Sequence, residues 1–156
     1  MDSRRDSRYN SKLGMNLLIS TESNSCFSIA IGQENITKMK TINQAFKQSE
    51  LLLKEIKQII SADLSGLEKI FVVIGPGDFS ALRIGCATAN ALAYGLDIPV
   101  YGIKLKKIYL GLEEKQKMEK VWSDGLKVSK KTTNNSFKQI AIPEYGKKPN
   151  ITKSKK

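Results

Sequence analysis

At 156 residues the chain has the length of one domain with one core. Its 40% hydrophobic content fits a globular protein, while a mean hydropathy of -0.30 with 26% charged residues indicates that not all of it is packed. There is no histidine, which excludes the Ser/His triad, the commonest general base and the usual zinc and non-haem iron ligand sets; no apolar run approaches the roughly eighteen residues of a membrane span.

The two cysteines, Cys26 and Cys86, lack CxxC spacing and read as buried free thiols of a reducing compartment. Residues 1–14 are basic but not followed by an apolar signal segment, so the expected location is cytoplasmic, with no membrane partner. The net charge of +11 is uneven: +2 over residues 1–14, -1 over residues 15–103 and +10 over residues 104–156. The core is therefore nearly neutral, and the excess is a lysine-rich tail. Such a tail suits RNA or an acidic partner; a solvated terminus is the plainer alternative.

In chain order, residues 1–14 are polar, without periodicity, and are expected to be disordered. Residues 15–19 (MNLLI) read as the central strand. Residues 25–31 (SCFSIAI) put Phe27, Ile29 and Ile31 on one face and Cys26, Ser28 and Ala30 on the other, the period of a strand. After a turn, residues 36–40 (ITKMK) alternate again, which completes an antiparallel meander. From residue 43 to residue 60 the period becomes helical, through Leu52, Leu53, Ile56, Ile59 and Ile60. Leu51 widens this apolar stripe, either as core or as contact for a second partner.

Residues 70–74 (IFVVI) form a continuous apolar run, as expected of a strand covered on both faces. Gly75-Pro76-Gly77 stops it, and a helix follows from near Ser80 to near Gly95, whose glycine suits a C-cap. Residues 98–103 (IPVYGI) are the next strand, so this stretch is a parallel βαβ unit. In its helix Gly85, Ala89 and Ala93 recur every four positions. That row serves either tight packing on the sheet or close approach of a partner helix. Residues 105–112 read as one more short helix. Beyond Glu113 the pattern dissolves: Trp122 and Phe137 stand isolated, and residues 121–122 and 139–142 are at best short strands.

The expected organisation is thus a disordered tail (1–14), a folded lobe (15–112) and a lysine-rich, partly disordered segment (113–156). The order β-β-β-α-β-α-β is α/β. It is the layout of a ribonuclease H-like or actin-like ATPase (ASKHA) lobe, a five-stranded mixed sheet with helices on its faces.

The run GPGDFSALRIG at residues 75–85, followed by ATANALAYGLDIPVYGI, closely resembles the TsaB (YeaZ-like) family, with its GPGSFTGLRIG-type signature. LLISTES at 17–23 resembles the family's opening strand, QSELLLKEI at 48–56 its first long helix, and PEYGKKPNIT at 143–152 the C-terminal tail of some members. The resemblance covers residues 15–110 and implies either a minimal form lacking most of the second lobe or one in which a partner fills that gap. It implies a non-catalytic subunit, without cofactor or metal, of tRNA threonylcarbamoyladenosine (t6A) synthesis. Its partner would be a TsaD-type catalytic subunit acting on adenosine 37 of ANN-decoding tRNAs, with a TsaE-type ATPase joining the complex. The docking residues it implies on the two helices are Leu51, Lys54, Glu55, Arg83, Gly85, Cys86, Ala89, Asn90 and Ala93, with Gly75, Pro76, Gly77 and Asp78 as the turn that aims them. A homodimer through the same helices is expected without the partner, and the lysine-rich tail is a candidate tRNA contact.

Departures bear on chemistry. The family's strand-one Asp is Ser20 here, its helix-one His is Gln48, and Asp78 stands at the helix start where its charge would repel a phosphate. No P-loop motif is present. A degenerate actin-like ATPase or kinase lobe, or a basic-tail tRNA-binding module, are the alternative readings.

Overall fold

The computed structural model describes residues 14–61, 64–131 and 139–145. Five strands form one sheet: β1 (Met15–Ser20), β2 (Phe27–Gly32), β3 (Ile36–Ile42), β4 (Leu67–Gly75) and β5 (Val100–Lys104). Their order across the sheet is β3-β2-β1-β4-β5. β1, β2 and β3 pair antiparallel, while β1–β4 and β4–β5 are parallel. Among the described residues three helices cover it: α1 (Gln48–Ile59), α2 (Phe79–Leu96) and α3 (Glu114–Lys131). This is the expected five-stranded mixed sheet with helices on its faces.

Strand alternation divides the core in two. Leu17, Ile19, Ile29, Ile70 and Val72 point to one side, where Leu52 and Ile56 of α1 and Cys86, Ala89 and Ala93 of α2 meet them. Leu18, Ala30, Phe71, Val73, Tyr101 and Ile103 point to the other, against Met118, Val121 and Trp122 of α3. A sheet buried on both faces explains the unbroken apolar run in β4.

The third helix is a correction: the sequence pattern dissolves beyond Glu113 and offers residues 121–122 at best as a short strand around an isolated Trp122, yet residues 114–131 are helical. Met118, Val121, Trp122, Gly125 and Ser129 are all buried, at spacings of three and four. Two of these five are small, so the apolar stripe is faint in sequence. Gly125 resembles a breaker, yet the packing requires it: a Cβ there would lie 2.7 Å from the Phe71 ring. Phe71 and Trp122 meet edge to face, with ring centroids 5.6 Å apart.

Smaller corrections concern boundaries. α1 begins at Gln48 and not at residue 43, because the chain first turns through Phe46, whose φ of 57° is left-handed. The expected short helix at 105–112 is only a 3-10 turn at Lys107–Tyr109. α2 passes through Gly95 and stops at Asp97, which takes the left-handed cap with φ of 56°. Residues 139–145 form no strand. The expected disordered tail up to residue 13, Phe137, and the polar end from residue 146 lie outside the described residues.

Candidate partner-docking face

The GPGD turn is closed by the chain's own backbone. Gly75 has a φ of 146°, and a Cβ there would fall 1.9 Å from the Glu144 carbonyl oxygen. At Gly77 a Cβ would fall 2.4 Å from the Glu22 carbonyl oxygen. The Asp78 amide donates to that same Glu22 carbonyl at 2.7 Å, and the Glu144 amide donates to the Ile74 carbonyl at 2.7 Å. Asp78 is the N-cap residue of α2, but its carboxylate makes no bond to the helix. It accepts instead from the Asn24 amide at 2.7 Å and so ties the turn to the β1–β2 loop. Its charge still suits the positive helix end. Thr21 donates from its hydroxyl to the Ala81 carbonyl at 2.8 Å, and Gln48 donates from its side-chain amide to the Ser23 carbonyl at 2.7 Å. Pro76, exposed, completes the turn. These contacts lock the entry angle of α2.

The small-residue row lies inside. Gly85, Ala89 and Ala93 are buried, and a Cβ on Gly85 would lie 2.0 Å from the Thr21 hydroxyl oxygen. Cys86 is buried beside them, and burial pushes its thiol up to about 11, so it has little thiolate at neutral pH. Of the two readings of this row, packing on the sheet is the one the structure adopts. The row is not an outward face for a partner helix, because the sheet already occupies it.

The other named residues spread over different surroundings. Leu51 is half-buried and packs against the core, which answers its extra width. Lys54 is exposed, and the half-buried Glu55 pairs with Lys40 of β3. Arg83 is exposed, with its guanidinium 5.5 Å from the centroid of the Phe79 ring. Asn90 is half-buried and makes both bonds with one residue: its side-chain amide donates to the Ala141 carbonyl at 2.9 Å, and its oxygen accepts from the Ala141 amide at 2.8 Å.

That last pair reveals a feature the sequence reading missed. Residues 139–145 run beside α2 as a strap, with Ala141 in the core, Glu144 paired to Lys104 at 2.6 Å and Tyr145 stacked on Phe79 at 4.2 Å. Also missed was which side chains of the two helices are exposed, among them Leu53 of α1 and Ala87, Ala91 and Tyr94 of α2. Tyr94 is 89% exposed. The spacing of 87, 91 and 94 was readable, but which of several small-residue rows faced outward was not.

On the opposite side of the sheet, Lys117 of α3 bridges Glu22 and Glu114, the latter at 2.8 Å. Burial is the largest influence on Glu22 and lifts its carboxyl above the ordinary range against the pull of Lys117. For Lys117 burial is again the largest influence and acts downward, yet its bonds to Glu114 and Glu22 together outweigh it and raise the ammonium above the ordinary lysine value. Ser20, at the family's strand-one Asp position, is buried. Among the described residues no group of three or more His, Cys, Asp or Glu is placed to hold a metal ion, and no helix is long and apolar enough to cross a membrane.

The sheet order and helix placement define an actin-like, ribonuclease H-like (ASKHA) lobe. A family model described as TsaD, tRNA N6-adenosine threonylcarbamoyltransferase, matches residues 37–109. YeaZ from Pseudomonas aeruginosa superposes with a TM-score of 0.55 at 21% identity, covering 62% of this chain and 46% of that one. A second structure, of an uncharacterized protein similar to peptidase YeaZ from the same organism, gives a TM-score of 0.52 at 22% identity over the same shares. The tRNA N6-adenosine threonylcarbamoyltransferase of Geotalea daltonii is 43% identical over 53 residues, 34% of this chain and 16% of that protein. An uncharacterized protein of Mycobacterium leprae is 30% identical over 88 residues, 55% of this chain and 23% of that protein. The chain is thus similar in fold to YeaZ and, over part of its length, similar in sequence to a tRNA N6-adenosine threonylcarbamoyltransferase, and it spans under a quarter of the length of these two curated relatives.

Proposed function

We propose that the protein is a non-catalytic scaffold subunit that docks on and activates a TsaD-type partner in t6A synthesis. The reaction served is threonylcarbamoyl transfer to adenosine 37 of ANN-decoding tRNAs, and a TsaE-type ATPase joins through the complex. The observation that carries this reading is the outward surface of α1 and α2. On α2 the exposed Ala87, Ala91 and Tyr94 make it apolar beside the exposed Arg83, and on α1 the exposed Leu53 stands among Glu50, Lys54, Lys57 and Gln58. Small side chains let a partner helix approach closely, and an exposed tyrosine supplies an anchor. The lobe fold it shares with YeaZ supports a pseudo-symmetric pairing of like helices, and the same surface serves a homodimer when the partner is absent. The closed GPGD turn favours a structural role for the signature over a phosphate cradle, because its glycines are filled by the Glu22 and Glu144 carbonyls.

The test is co-purification with a TsaD-type protein. Ala91→Glu and Leu53→Glu each place a charge in the surface without touching the core. Loss of the complex with an unchanged melting curve is the expected result; a complex that survives both substitutions overturns the reading. Calorimetry with ATP and magnesium separates it from a degenerate kinase lobe, since the scaffold produces no binding heat of its own.

A further inference from the structure

We infer that the solvent face of α3 is a binding surface for the sugar-phosphate backbone of a folded RNA. The sequence reading placed an RNA contact only in the lysine-rich segment as a whole; the helix gives part of that segment a fixed surface. With Met118, Val121, Trp122, Gly125 and Ser129 in the core, successive steps of 100° bring Gln116, Lys120, Ser123, Lys127, Lys130 and Lys131 to the opposite side, and all six are exposed. The crest carries no carboxylate. Glu114 is held by Ser28 and Lys117, and Asp124 by Tyr109 and Lys106, so two of the helix's three acids are spent on internal contacts. The third, Glu119, stands on the flank, in the groove against β3.

The lysines of the crest have no ion pair among the described residues, as is also true of Lys54 and Lys57 of α1, but here four such lysines line one face of one helix. Lys40, Lys47, Lys104, Lys106 and Lys117 each pair with a carboxylate. Among the described residues no carboxylate lies within 4.0 Å of Lys120, Lys127, Lys130 or Lys131. Lys130 and Lys131 complement the helix carboxyl end, but Lys120 and Lys127 are too far from it to do so. Lys127 and Lys131 stack like charges at i,i+4, which weakens a helix. A polyanion supplies the missing charge. From Lys120 to Lys131 the crest extends roughly 16 Å at 1.5 Å per residue, enough to follow a run of phosphates.

The chemistry favours RNA over other acidic partners. A membrane-surface helix inserts its apolar face, and here that face is committed to the sheet. A protein interface needs buried aromatic or aliphatic anchors, and the crest has none. The lack of an exposed aromatic on it also rules out base stacking, so the contact is with backbone and is indifferent to sequence. That the RNA is a tRNA rests on the function proposed above; the surface itself does not.

The test is fluorescence anisotropy of the full chain with labelled unmodified tRNA, titrated from 50 to 200 mM salt. In the triple variant Lys120→Gln/Lys127→Gln/Lys131→Gln, affinity falls at least about tenfold and the salt slope drops by about two to three, with an unchanged thermal melt. The same substitution at Lys57 of α1 changes neither. Unaltered binding by the triple variant overturns the inference. So does loss confined to a variant with Lys147, Lys148, Lys153, Lys155 and Lys156 changed to Gln, which would move the contact to the chain's end. Binding to phosphatidylserine vesicles with none to tRNA also overturns it. Co-purification of the triple variant with a TsaD-type protein keeps the two proposals apart. If the wild-type chain binds no partner but the tRNA titration behaves as described, the scaffold reading falls and the α3 surface stands.

Discussion

The two faces of the sheet are covered by helices of opposite character. On one side α2 is mostly apolar and small, so it sits close to the strands, and its outer surface is also apolar. On the other, α3 is lysine-rich and holds on by a narrow stripe around Trp122. The first face has neutral side-chain bonds through Thr21, Gln48 and Asn90. The second places a partly buried ionic cluster, Glu22–Lys117–Glu114, between helix and strand ends. One sheet thus carries an apolar exposed row on α2 and a lysine-lined crest on α3, because each helix needs only one side for the core.

The largest effect expected from breaking this contrast is at Phe71, the residue that both the Trp122 ring and Gly125 of α3 pack upon. Phe71→Ala should cost about 4 kcal/mol in urea unfolding and loosen α3 first, seen as lost near-ultraviolet signal from Trp122. Next is Lys117→Met, which leaves Glu22 and Glu114 without their cation and should cost about 3 kcal/mol at neutral pH. Its pH dependence has a definite sign. Burial raises Glu22 above its ordinary value of 4.5, so the folded chain holds that proton to higher pH than the unfolded chain. Stability from this group is full below 4.5 and fades as pH rises through the raised folded value. Without Lys117 that window widens upward, so the variant should regain stability as pH is lowered from neutral toward 5, in melts taken across that range.

On the α2 side, Gly85→Ala drives a Cβ into the Thr21 hydroxyl and should cost about 2 kcal/mol by overpacking. Asn90→Ala removes both bonds to Ala141 and should cost about 1 kcal/mol while exposing the strap, read as faster proteolysis near residues 139–145. The smallest effect is at the crest: Lys120→Gln should shift stability by less than about 0.5 kcal/mol. A large destabilisation there would mean that the lysine serves the fold and would erase the contrast.

The strands of the meander and the βαβ unit were readable because alternation and continuous apolar runs are local properties of the backbone period. The GPGD turn and the small-residue helix were readable for the same reason. The direction of that helix's faces was not, since Gly85, Ala87, Ala89, Ala91 and Ala93 are all small enough for either side. The strap was invisible because its hold depends on Asn90 and Ile74, some fifty and seventy residues upstream. Helix α3 was hidden by its own lysines: six of them in eighteen residues lower the mean hydropathy, and its core stripe includes a glycine and a serine.

By itself, then, the sequence determined which segments are strands, where the chain turns into α2, and that an excess of positive charge follows residue 103, since each of these depends on residues near one another. Only the tertiary structure decided which small residues meet the sheet, that Gly125 has to be a glycine because Phe71 lies over it, and which lysines of α3 find a carboxylate and which are left facing water. Those outcomes depend on contacts across the sheet between residues far apart in the chain, and no local pattern encodes them.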